Sequence, residues 1–150
     1  MSQNQILSGA LDWSLRALAQ NANTQRELYP QFVLVPNELA LDFDDALKAE
    51  PQQFCGLNPD LVALDILFDS KSGRAEYWTD DALEQSEFWA EIRLLAKQAL
   101  ENRELSVAAP NTTASKYIHG SDVFGTFYNS ASKFLSLSTI VSSKFGKLFR

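Results

Sequence analysis

Apolar residues recur along this chain at the three-and-four spacing of amphipathic helices, and no long alternating strand pattern appears. Residues 4–21 set Leu7, Leu11, Ser14 and Leu18 on one stripe, widened by Ala10 and Ala17, and predict a first helix. Asn21 to Gln25 is polar and turn-like. QFVLVP at 31–36 is a short β-branched run closed by Pro36, which reads as an extended connector. In NELALDFDDALKAE at 37–50, Asn37 stands where an N-cap belongs. Leu39, Phe43, Ala46 and Leu47 then share one face, while Glu38, Asp42 and Asp45 make an opposite ridge at i, i+4 and i+7. Pro51 ends that helix.

NPDLVALDILFDS at 58–70 opens with Asn58 as cap and Pro59 at the first helical position. Leu61, Leu64, Leu67 and Phe68 point inward, Asp65 and Asp69 outward, and Gly73 marks a stop. Thr79 caps a short helix whose first turn holds Asp80 and Asp81, where the helix dipole favours negative charge. From Ser86, Phe88, Ile92, Leu95, Ala96 and Ala99 form the strongest stripe of the chain, flanked by Trp89 and Leu100, and predict a helix over 86–103. Trp13, Trp78 and Trp89 read as core. The fold class is all-α: a small helical bundle over 1–104, then a linker at 105–121 and a C-terminal amphipathic tail at 122–150.

The linker rests on SVAAPNTTAS, a small and polar stretch containing Pro110. Beyond it, Phe124, Phe127, Ala131, Phe134, Ser138, Val141, Phe145 and Leu148 recur at helical spacing, with Lys133, Lys144 and Lys147 off the stripe. Gly125 and Gly146 lower the helix propensity there. Charge divides along the same line. Residues 1–104 hold 18 acids and 8 bases, a balance of −10, and residues 105–150 hold one acid and five bases, a balance of +4. The two sum to the net −6 of the chain. An acidic body excludes DNA or RNA as its ligand, because phosphate binding requires a cationic surface.

Candidate chemistry is sparse. There is one cysteine, Cys55, and one histidine, His119, so neither an internal disulfide nor a Cys-rich zinc site is available. They read as a small semi-buried residue and a loop residue. Glycine-rich nucleotide motifs and H-E-x-x-H are absent. DFDD at 42–45 is no EF-hand loop, since the sixth position counted from Asp42 is Leu47 rather than glycine. Carboxylate pairs such as Asp65 and Asp69 lack any sequence sign of the burial or charged neighbour that tunes a catalytic acid. No catalytic residue, metal or cofactor is therefore expected. No basic leader and no apolar run long enough to span a membrane is present, so the cytoplasm is the expected compartment.

WTDDALEQSEFWAEIRLLAKQAL at 78–100 resembles a signature of small bacterial helical proteins, roughly W-T-x-x-A-L-x-x-S-x-x-W-x-x-I-R-x-x-A-x-x-A-L. LALDFDDAL at 39–47 and ALDILFDSKSG at 63–73 are similar to their middle helix and the segment after it. The resemblance spans about 6–104 and leaves the tail outside. It implies a cytosolic partner-binding protein without catalytic residues, of the kind that includes immunity proteins beside polymorphic or contact-dependent toxins. On that basis Glu38, Asp42, Asp45, Asp80, Asp81, Glu84 and Glu87 are expected to form one acidic field that steers a basic protein partner, a toxin first of all. Two other classes share these features. One is a secretion or effector chaperone; the other is a membrane-surface protein using its basic tail as an interfacial anchor. The oligomeric state is left open.

Overall fold

Ser8 starts the first helix, its Oγ accepting the Leu11 N–H at 3.1 Å. The computed structural model describes residues 7–112. It sets out α1 (Gly9–Leu18), α2 (Ala22–Glu27), α3 (Val35–Lys48), α4 (Phe54–Leu57), α5 (Pro59–Ser70), α6 (Asp80–Gln85) and α7 (Glu87–Asn102), with a 3-10 turn at Ala75–Tyr77 before α6. No strand occurs among the described residues. The molecule is the small all-α bundle that the periodicity predicts. The tail at 122–150, the second half of the linker and His119 lie outside the described residues.

α1 packs against both α3 and α7, and α5 lies on α7. The inner face of α1 is Leu11, Leu15 and Leu18, all fully buried, with Ser14 and Ala17 beside them. Ala10, expected on that stripe, is exposed, and Leu15 takes the inner place. The polar stretch after α1 is a helix rather than a turn. Asn21 Oδ1 accepts the Thr24 N–H at 2.9 Å and starts α2. Fully buried Gln25 donates to the carbonyls of Ala17 and Leu18, at 3.1 Å each, satisfying the open end of α1.

α3 begins three residues earlier than its polar cap suggested. Leu34 occupies the N-cap position with no side-chain cap bond, and Pro36 lies in the first turn. A proline's fixed φ and missing N–H suit that turn, where the N–H has no intrahelical partner. Pro36 therefore opens the helix rather than closing a connector. Asn37 is inside the first turn and buried.

Asn58 precedes α5, but its side chain makes no cap bond. Instead its Nδ2 donates to the Phe54 carbonyl at 2.9 Å and its Oδ1 accepts from Arg103 at 2.7 Å. After α5 the chain reverses through Gly73, at φ 77°, a left-handed conformation that glycine adopts without a Cβ clash. Thr79 caps α6 by accepting the Ala82 N–H at 3.0 Å, and Ser86 caps α7 by accepting the Trp89 N–H at 3.2 Å.

The centre is aromatic. Phe68 has Phe43 at 5.9 Å, Trp78 at 6.3 Å, Phe88 at 6.0 Å and Trp89 at 5.7 Å between ring centroids. A buried indole requires a partner for its N–H. Trp89 donates to the Tyr77 carbonyl at 2.8 Å and Trp78 to the Lys71 carbonyl at 2.9 Å. Those two bonds tie the 71–78 loop over the core.

The expected linker is tied down over its first eight residues. Residues 105–112 run back along α1 as a strap. Gln20 donates to the Val107 carbonyl at 2.9 Å, Arg16 to Ala108 at 2.8 Å and to Ala109 at 3.0 Å, and Trp13 to Asn111 at 2.6 Å. Pro110, within the strap, is buried.

Candidate functional site

The seven acids expected to form one field divide into three groups. Glu38 is fully buried and Asp42 is 9% exposed, so neither offers a surface to a partner. This corrects the expected ridge on α3. The physical reason is the segment between α2 and α3, which folds over that face. Tyr29 is buried there, and its hydroxyl donates to Asp42 Oδ2 at 2.6 Å. Helical periodicity locates an acidic face; it does not say whether another segment covers it. Asp45, one turn on, is exposed.

Asp80 and Glu84 are exposed and converge on Arg26 of α2. Arg26 Nε donates to Asp80 Oδ1 at 2.8 Å and its Nη2 to Glu84 Oε1 at 2.9 Å, while Nη1 donates to Asn23 Oδ1 at 2.9 Å. The hydrogen bond to Asp80, then that to Glu84, raises the guanidinium pKa above its usual value. Exposed pairs of this kind contribute less than about 1 kcal/mol each. They also offset a nearby like charge. Arg93 of α7 is half-buried, and burial first, then the charge of Arg26, lowers its pKa. Arg93 donates to the Gln20 carbonyl at 3.0 Å, to Gln25 Oε1 at 3.1 Å and to the Leu83 carbonyl, joining the turn after α1 to α2, α6 and α7. Asp81 and Glu87, the third group, are exposed at the starts of α6 and α7.

Beside Arg26 the surface opens into a groove of about 630 Å³. Arg26, Glu27 and Asp80 form its charged side, and Tyr29, Val33 and Leu34 its apolar side. Phe32 and Leu34 in the same loop stay 49% and 39% exposed, two large apolar side chains within three residues. An apolar strip edged by acids recognises chemistry that is basic and apolar together. Glu27 and the 28–34 loop are the functional candidates that sequence reasoning missed. A signal was present, since Phe32 and Leu34 belong to no amphipathic stripe.

The remaining polar clusters are structural. Arg103 Nη1 and Nη2 donate to Asp60 Oδ2 and Oδ1 at 2.6 and 2.8 Å, and Nη1 also donates to the Ala99 carbonyl at 2.7 Å. The Arg103 hydrogen bonds hold the Asp60 carboxyl below its ordinary range. Cys55 is half-buried on α4 against the core. Among the described residues no group of three or more His, Cys, Asp or Glu is placed to hold a metal ion, and no helix is long and apolar enough to cross a membrane.

The residues of 78–100 that resemble a family signature are accounted for by folding. Trp78 closes a loop, Thr79 and Ser86 cap helices, Trp89 and Ile92 fill the core, and Arg93 joins three helices and the turn after α1. Comparison with protein-family models, curated proteins and solved structures finds no match.

Proposed function

We propose that this chain is a non-enzymatic protein-binding protein that takes a basic partner on the face made by α2, the 28–34 loop and α6. Its partner on this reading is a cognate bacterial toxin, neutralised in the cytoplasm by occlusion. One observation carries the proposal: exposed Phe32 and Leu34 lie beside a groove whose charged side includes Glu27 and Asp80. A partly apolar patch with a polar rim is the usual make-up of a protein interface. Acidic charge around it speeds encounter with a basic surface. Of the acids first expected, Asp80, Asp81, Glu84 and Glu87 stay in this reading, while Glu38 and Asp42 leave it because they are buried.

Affinity capture with the full-length chain in its native bacterium, followed by measured association rates for the captured protein, tests this. The expected outcome is a basic toxin domain whose association slows by about tenfold or more from low to high salt. Its capture should be lost on combining Phe32→Asp with Glu27→Lys. A rate indifferent to salt would remove the electrostatic part, and capture of secretion effectors instead would make the chain a chaperone.

A further inference from the structure

The same chain carries a segment with the chemistry that the groove fits. Residues 122–150 combine Lys133, Lys144, Lys147 and Arg150 with Phe124, Phe127, Phe134 and Phe145, against a single acid, Asp122. The strap decides where that segment starts. It runs along α1 until the Asn111 carbonyl accepts the Trp13 indole N–H. The Trp13 ring stands 5.9 Å from that of Tyr29, edge to face, and Tyr29 lines the groove. The described chain thus ends about one aromatic ring away from the groove. Nine residues lie between Thr112 and Asp122, enough to reach about 35 Å when extended.

We propose that residues 122–150 dock in this groove in cis, their lysines against Glu27 and the α6 acids and their phenylalanines against Phe32, Val33 and Leu34. A short tether makes this favourable with modest contacts. The effective concentration across such a linker is on the order of 1 mM. A segment with an intrinsic Kd near ~0.1 mM would then occupy the groove about nine-tenths of the time. An external basic protein would compete with the tail for one surface, so the tail sets a threshold that only a tighter or more concentrated partner passes. The docking itself does not rest on the external partner proposed above.

Zero-length carbodiimide cross-linking of the dilute full-length chain, mapped by mass spectrometry, tests it without any partner. Links from Lys133, Lys144 or Lys147 to Glu27, Asp80, Asp81 or Glu84 within one chain are expected. Links confined to covalent dimers, or to carboxylates elsewhere on the body, overturn it. A second measurement uses the triple variant Lys133→Glu/Lys144→Glu/Lys147→Glu, whose changes all lie outside the described body. Hydrogen exchange across 28–35 should rise on the order of tenfold in that variant, as docking protection is lost. Unchanged exchange overturns docking and leaves the external-partner reading standing. Conversely, failure to capture a toxin leaves the cis contact untouched.

Discussion

Arg103 has 3% of its side chain exposed, and Asp60, its carboxylate partner, has 32%. Removing one partner of a buried pair leaves an uncompensated charge, at a cost of about 3–5 kcal/mol where both are buried. Solvent reaches Asp60, so Asp60→Asn is expected to cost less, about 2 kcal/mol at neutral pH. The pH dependence follows from the direction of the shift. Asp60 is held below its ordinary value in the fold. Its contribution is therefore complete above the unfolded value of about 3.9 and is lost as pH falls through the lower, folded one. Urea melts of parent and Asp60→Asn should differ steadily down to about pH 5 and converge below about pH 4. A constant difference across that window would show that the carboxylate charge does not stabilise the fold. At this scale the sequence was least legible. Asp60 and Asp65 look alike in a row of residues, yet Asp60 meets an arginine 43 positions away. Glu38 and Asp42 have the spacing of surface acids, yet both are buried, and Tyr29 covers Asp42.

Elements were legible wherever a local signal carried the physics. Thr79 and Ser86 cap the helices that follow them, because a side-chain oxygen three residues before an amide reaches it without help from elsewhere. Asn58 reads the same way and does otherwise, since Arg103 claims its oxygen. The strap is the element that local reasoning inverts. SVAAPNTTAS has linker composition, yet Trp13, Arg16 and Gln20 hold the backbone carbonyls of Val107, Ala108, Ala109 and Asn111. Bonds of this kind contribute about 1 kcal/mol each at most when solvent-exposed. Arg16→Ala should therefore lower global stability by roughly 1 kcal/mol or less, while proteolytic cleavage within 105–112 rises several-fold because that segment opens locally. Cleavage at the parental rate would mean that packing of Pro110, rather than the arginine, holds the strap.

At the scale of the whole molecule, Phe68 sits among rings contributed by α3, α7 and the loop before α6. Phe68→Ala is expected to cost about 3–5 kcal/mol, a large part of the roughly 5–15 kcal/mol that keeps such a domain folded. The midpoint of denaturant unfolding measures it, and a loss below about 1.5 kcal/mol would mean that the core collapses around the gap. By itself, the sequence determined the all-α class, the inward faces of α5 and α7 and the starts of α5, α6 and α7. Those depend on neighbours within a few residues, and spacing reports them directly. Only the tertiary structure decided which acids reach solvent, that 105–112 folds back along α1, and that an apolar loop borders Glu27 and Asp80. Each of those outcomes is a contact between residues far apart in the chain. Burial and charge pairing are properties of such meetings, and local periodicity carries no record of them.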